Sequence, residues 1–394
     1  MQNYLFQGKA HPMLNPRRPR ISPSKHIAVF FPMLLALCCV SPAQTHDIQI
    51  SNGHLTAIIH PPDPVHGFYR GTRFDWSGVI GSLKYAGHDY YGPWFTKTDP
   101  TVVDYVYRGA DIVAGPCSAV TGPAEEFSTN EEGLGFREAR PGGTFLKIGV
   151  GVLRKPDDAK YSMFRLYPIV DHGKWTVEAK PSSVVFTQRV MDPSSGYGYL
   201  YQKIIRLDTE QPQKMVIEHR LTNIGKRSIE TSVYDHNFLV LDNQGVGPDF
   251  SIRLPFDIHP AKSFKTSLGA VNGKTISYLK KLEGHDQFGV SIEGFGKTAQ
   301  DYNIMIVNES LNAGMAITGD QPLESEELWS IRSVLAMEPF IHMSIKPGHD
   351  FSWKYTYVYF SPKMTAETPP LSSPTDGLER GNVVLSVVSP VIAP

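Results

Sequence analysis

The chain has 394 residues, 41% of them hydrophobic, which is enough to bury a large core. Its 38 Lys and Arg nearly balance its 39 Asp and Glu, so it lacks the basic surface that nucleic acid as a main partner requires. Two of the three cysteines lie before residue 40. Cys117 is then alone, and no intramolecular disulfide is available to staple a small scaffold.

In chain order, the first feature is a basic stretch, "NPRRPRISPSK", followed by an apolar run, "HIAVFFPMLLALCCV". The run is short of the ~20 residues that a spanning helix needs. Ser41 and Ala43 follow at the positions a signal peptidase reads, which predicts a signal peptide cleaved after Ala43. Leu37 before Cys38 fits a lipoprotein signal poorly, and an uncleaved anchor is the other alternative. The expected mature protein is periplasmic or secreted, with no stable membrane insertion.

From residue 46 the text reads as strands and turns. Asn52-Gly53 sits between two short apolar alternations and signals a hairpin. "TFLKIGVGVLRK", "KWTVEAKPSSVVFTQRV", "GYLYQKIIRLD" and "QKMVIEHRLTNIG" alternate with period two, and "HMSIKPGHDFSWKYTYVYF" reads as strand, Pro-Gly turn, strand. No long stretch carries a helical period. Frequent Gly (34) and Pro (31) suit a many-turned β protein. The expected organisation is an N-terminal extension with signal peptide (1–43), one large β domain (44–360) and a Pro/Ser-rich tail (361–394) that reads as disordered.

Walker loops, G-x-S-x-G, H-E-x-x-H and C-x-x-C are missing, and the fourteen histidines are not at metal-ligand spacing. No metal, nucleotide or redox cofactor is implied. What stands out is "GFYRGTRFDWSGVIGSLKYAGHDYYGPWF", where Arg70, Arg73 and Asp75 sit among Phe68, Tyr69, Phe74 and Trp76. Aromatic faces stack on sugar C–H faces while charged groups bond the hydroxyls, so Arg73, Asp75 and Trp76 are candidate sugar contacts. His172, beside a Gly and near Trp175, is another, and so is Asn237. In "SVYDHNFLVLDN", Tyr234, His236 and Phe238 share one strand face, and Asp235 faces the other way.

Two motifs carry a resemblance. In Met215–Asn243 a strand runs to Asn223-Ile224-Gly225 and a second strand bears His236-Asn237-Phe238; in Arg332–Phe360 a strand bearing Glu338 precedes Lys346-Pro347-Gly348 and a last strand. This pattern resembles the galactose mutarotase-like superfamily, the aldose 1-epimerases and hexose-6-phosphate epimerases, in divergent form. The resemblance implies a β-supersandwich of two large antiparallel sheets, with a carbohydrate as partner and His236 and Glu338 as catalytic residues. Ring opening takes a proton from the C1 hydroxyl and gives one to the ring oxygen. The expectation is Glu338 as base and a protonated His236 as acid, on opposite sides of the anomeric carbon. The alternatives are a non-catalytic periplasmic carbohydrate-binding protein and a sandwich domain associated with lyases or glycoside hydrolases. His219 alternates with Met215, Ile217 and Leu221 and is expected to face inward as a structural residue.

Overall fold

Alternation of buried and exposed side chains along the strands builds two faces per sheet, and each sheet buries one of them. The computed structural model describes residues 46–129 and 132–360. The expected signal peptide and the Pro/Ser-rich tail lie outside the described residues. Ten strands form one sheet, whose middle runs Ser183–Asp192, Tyr197–Leu207, Lys214–Asn223, Asp350–Phe360, Ala313–Gly319. Six strands form a second, in the order His259–Pro260, Gln287–Glu293, Ser325–Ile331, Val334–Ile345, Ile229–Leu239, Gly122–Ser128. All pairings within these two sheets are antiparallel. Phe127 of the smaller sheet packs edge-on against Tyr201 and Trp353 of the larger. The architecture is the expected all-β one, two large antiparallel sheets face to face, with no α-helix among the described residues. The Asn52-Gly53 hairpin also forms, between Ile48–Ser51 and Thr56–His60.

The two motifs singled out in the sequence are both sheet-crossing corners. Lys214–Asn223 belongs to the ten-stranded sheet and Ile229–Leu239 to the six-stranded one; Val334–Ile345 and Asp350–Phe360 divide the same way. The Pro-Gly turn therefore joins strands of different sheets rather than a hairpin. Asn223 stitches the corners together. Its backbone N–H donates to the His349 carbonyl and its carbonyl accepts from Gly348 N–H, both at 2.9 Å. Its side-chain amide donates to the Arg227 and Ile345 carbonyls, each at 2.8 Å. Gly348 turns at φ +80°, and a Cβ on Gly225 would sit 2.6 Å from the Gly198 amide nitrogen.

Between the sheets lies a charged cluster within the apolar core. Lys203 bonds Glu125 and stands 3.8 Å from Asp75. The His219 ring, stacked on Trp353, places Nε2 2.8 Å from Glu125, so His219 faces inward as expected. Burial opposes charge on Glu125, yet Lys203 and His219 outweigh it and hold its carboxyl down at about 2. Burial pushes Asp235 well up, aided by the Glu125 charge, and its Oδ2 accepts from the Tyr357 hydroxyl at 2.5 Å.

Glu326 is also buried here, and neither of its carboxylate oxygens has a hydrogen-bond partner. Burial alone lifts its pKa from 4.5 to about 8. The folded state thus keeps a proton that the unfolded chain releases above 4.5, so this residue lowers stability as pH rises from 4.5 to about 8. Glu326→Gln should match the parent near pH 4 and gain on it progressively up to about pH 8, by a few kcal/mol at the alkaline end. Urea midpoints across that range check this; a gain independent of pH would refute it.

Candidate functional site

The Ile229–Leu239 strand turns Ser232, Tyr234, His236 and Phe238 to the outer face of the six-stranded sheet, and Val233, Asp235 and Asn237 inward. On the neighbouring Val334–Ile345 strand, the pairs Tyr234↔Phe340 and Asn237↔Met337 set the register, which places Glu338 across from His236. Pro339 beside it has no N–H to give to the ladder. His236 Nε2 and Glu338 Oε1 are 3.3 Å apart, with side chains 6% and 13% exposed.

This pair opens onto a cavity of about 230 Å³. Aromatic rings wall it. Phe238 stacks on the His236 ring at 3.6 Å between centroids, and Trp329 stands edge-on to it at 5.6 Å. Trp94, in turn, lies parallel to Phe238 at 5.8 Å. Loops add Asp104, Ser118 and Phe164, the short strand Tyr105–Arg108 adds Tyr105, and the strand Gln287–Glu293 adds Gln287. The Ser118 hydroxyl donates to Asp104 Oδ1 at 2.6 Å, and burial raises the Asp104 carboxyl. The volume lies below the ~300–1,000 Å³ typical of drug-sized ligands, a scale for one small molecule.

Arg73 reaches the same cavity, held by a buried network. Its Nε donates to Glu126 Oε2 at 2.6 Å and its Nη2 to the Tyr234 hydroxyl at 2.8 Å. Tyr234 donates to Glu126 at 2.5 Å, and Lys147 Nζ donates to the other Glu126 oxygen at 3.1 Å. Burial works against the Glu126 charge, but Lys147 and Arg73 hold it below the usual carboxylate range. Two cations thus share one buried carboxylate, and the fork of Arg73 is fixed on the site side.

Electrostatics reverses the expected division of labour. Burial, followed by the Arg73 charge, pushes the His236 pKa well below its ordinary 6.5. Burial lifts Glu338 from 4.5 to about 8; Arg73 pulls it down, while the Glu327 and Glu126 charges add to the rise. At neutral pH the stable form is a carboxylic acid beside a neutral imidazole, not a carboxylate beside an imidazolium. The geometry differs as well. At 3.3 Å the two groups stand side by side on adjacent strands and cannot flank a carbon from opposite sides.

Four further expected site residues are corrected. Asp75 is buried between the sheets, accepting from Ser77 and, at 3.2 Å, from the Tyr201 hydroxyl. Residues 71–78 form bends rather than a strand, so Arg73 and Asp75 leave on different sides despite their even spacing. Asn237 is fully buried and belongs to the core: its amide donates to the Asp235 and Met337 carbonyls, and it accepts from Tyr357. Trp76 and His172 pack together, ring centroids 5.0 Å apart, but line a separate cleft of about 590 Å³ with Phe68, Arg70 and Leu166. Of the seven expected site residues, the structure brings His236, Glu338 and Arg73 together. Missed were Glu126 and Tyr234, which hold Arg73, and the loop residues. The signal for Glu126 was present: "AEEF" in a strand sends one glutamate to each face.

No known protein-family model matches the chain, and no curated protein sequence matches it. Several solved structures are similar to it. A galactose mutarotase related enzyme from Lactobacillus acidophilus is 12% identical, covers 80% of this chain and 98% of its own, and gives a TM-score of 0.48. A galactose mutarotase-like protein from Lactobacillus casei is 12% identical, with 80% and 100% covered and a TM-score of 0.45. An aldose epimerase homologue from C. elegans is 12% identical, with 80% and 99% covered and a TM-score of 0.45.

Proposed function

We propose that the chain is an exported enzyme of the aldose 1-epimerase kind, which interconverts the anomers of a neutral sugar by opening and closing its ring. The observation that carries this reading is the His236–Glu338 pair, 3.3 Å apart at an aromatic-walled cavity beside Arg73. The ring oxygen and the C1 hydroxyl are bonded to the same carbon, so two groups side by side serve both. Glu338 gives its proton to the ring oxygen as the bond from C1 breaks. His236 takes the C1 hydroxyl proton as the C1 carbonyl forms. Rotation about C1–C2 and the reverse transfers close the ring on the other face, and both residues regain their starting forms. Arg73, which disfavours an imidazolium, drives His236 to hand its proton back.

The cavity favours an uncharged substrate. Among the described residues Arg73 is the one Lys or Arg that lines it, and it is bonded to Glu126, while Glu338 and Asp104 are acidic. A sugar phosphate would have to compete with Glu126 and Tyr234 for that guanidinium. Polarimetry on a panel of neutral aldoses and their 6-phosphates tests this. Acceleration is expected for at least one neutral aldose and for no phosphate; no acceleration of any aldose would sink the reading.

The pair also fixes a pH profile. Activity needs one proton on the pair. It should fall as pH rises through about 8, where Glu338 ionises, and fall again only well below 6.5, where His236 charges. A plot of kcat/KM against pH that still climbs above pH 9 would contradict these protonation states.

A further inference from the structure

A second cavity lies on the same outer face, nearer the stitched corners. It measures about 350 Å³ and is lined by Ser128, Glu230, Ser232, Glu324, Phe340 and His342, among others. The strand register connects it to the reaction cavity. Ser232↔His342 and Tyr234↔Phe340 are successive outer-face pairs of the strands that bear His236 and Glu338. From His236 to Ser232 is four residues, or ~13 Å of strand. Tyr234 is buried between them, bonded to Arg73 and Glu126, and the line reached by solvent runs along Glu338, Phe340 and His342 of the neighbouring strand. Phe340 is half-buried, and its ring is backed by Tyr234 at 4.2 Å between centroids.

The chemistry of this cavity is that of hydroxyl recognition. Ser232 donates to Glu324, and Ser344 donates to Glu230 at 2.5 Å. His342 stands 3.7 Å from each of the two glutamates, Nδ1 toward Glu324 and Nε2 toward Glu230. These three side chains are 43–54% exposed and so keep free bonding capacity on the solvent side. An aromatic ring with a rigid backing, rimmed by hydroxyls, carboxylates and an imidazole, suits the apolar and polar faces of a pyranose. Among the described residues its charged lining is acidic, Glu230 and Glu324, with no Lys or Arg, which disfavours uronate or sulfated glycans.

We infer that the outer face is a saccharide track: the reducing end of a neutral oligosaccharide occupies the cavity at His236 and Glu338, and a sugar further along the chain rests on Phe340 between Glu324, Ser232 and His342. This rests on the proposed reaction for the identity of the first cavity, and names the substrate as the end of a chain rather than a free monosaccharide.

Calorimetry with the full chain would compare glucose, galactose and mannose with their linear tetraoses. At least one tetraose is expected to bind about tenfold tighter than its own monosaccharide, equivalent to about 1.4 kcal/mol. Glu324→Ala and His342→Ala should each remove most of that advantage and leave monosaccharide mutarotation unchanged. A tetraose no tighter than its monosaccharide, or an advantage that survives both variants, overturns the track. If the advantage is present but no anomer interconversion is accelerated, the track stands and the reaction reading falls. If mutarotation is accelerated without the advantage, the track falls alone. If no sugar binds, both fall.

Discussion

His236→Gln and Glu338→Gln are each expected to lower kcat/KM for anomer interconversion by about 10²–10⁴-fold, the range for loss of one positioned acid or base. Glutamine is polar and close in size to both side chains, so the cavity walls should survive, although His236→Gln gives up the ring stacking on Phe238. It cannot donate as a carboxylic acid does or accept as an imidazole does. The two groups stand 3.3 Å apart and act in the same step, so the double variant should lose little beyond either single one. Thermal midpoints and sugar affinity should stay close to those of the parent. Polarimetric rates within about twofold of the parent in both variants would show that this pair does not carry the chemistry. Retained binding with no rate in the parent either would instead leave a carbohydrate-binding protein.

The second large effect is structural. Lys203→Met should cost about 3–5 kcal/mol of folding stability, the usual penalty for removing one partner of a buried ion pair. The Lys203 side chain is 2% exposed and lies between Glu125 and Asp75. Without it, Glu125 keeps only His219 as a partner, while burial already lifts Asp75 to about 7. Adding Glu125→Gln to the variant should recover a large part of the loss, because the stranded charge is then gone. Denaturant unfolding of the two single variants and the double one measures the coupling. A Lys203→Met midpoint indistinguishable from the parent would show that the cluster contributes nothing net.

What the sequence revealed of this molecule follows from where its backbone is regular. In the Ile229–Leu239 strand, period two held, so the outward turn of Tyr234, His236 and Phe238 and the inward turn of Asp235 were legible. The same rule places Asn237 inside, and its assignment to the sugar went against it. Arg73 was legible as a polar group among rings, but Asp75, two residues on, was not separable from it, because bends carry no period. Trp76 and His172 were both candidate sugar contacts; they pack together, but nothing local says which cavity they line. Alternation also says nothing of sheet membership, so the Pro-Gly turn reads the same whether it closes a hairpin or crosses a sandwich. Protonation was the least legible feature, since it depends on burial and on Arg73, Glu126 and Glu327 arriving from three other segments.

The corner stitched by Asn223 has a consequence for how this scaffold could be altered. The strands bearing His236 and Glu338 are clamped at one end, where Asn223 bonds Ile345, Arg227, Gly348 and His349. Phe238 comes from the histidine's own strand, but Trp94, Asp104, Ser118 and Phe164 reach the cavity from segments outside these strands. Reactive groups and selectivity are therefore separate modules. Loop segments could be exchanged to admit a different sugar while the acid and the base keep their spacing, whereas an insertion of one residue within the strand, between Ile229 and His236, would slip the register and turn the histidine into the core.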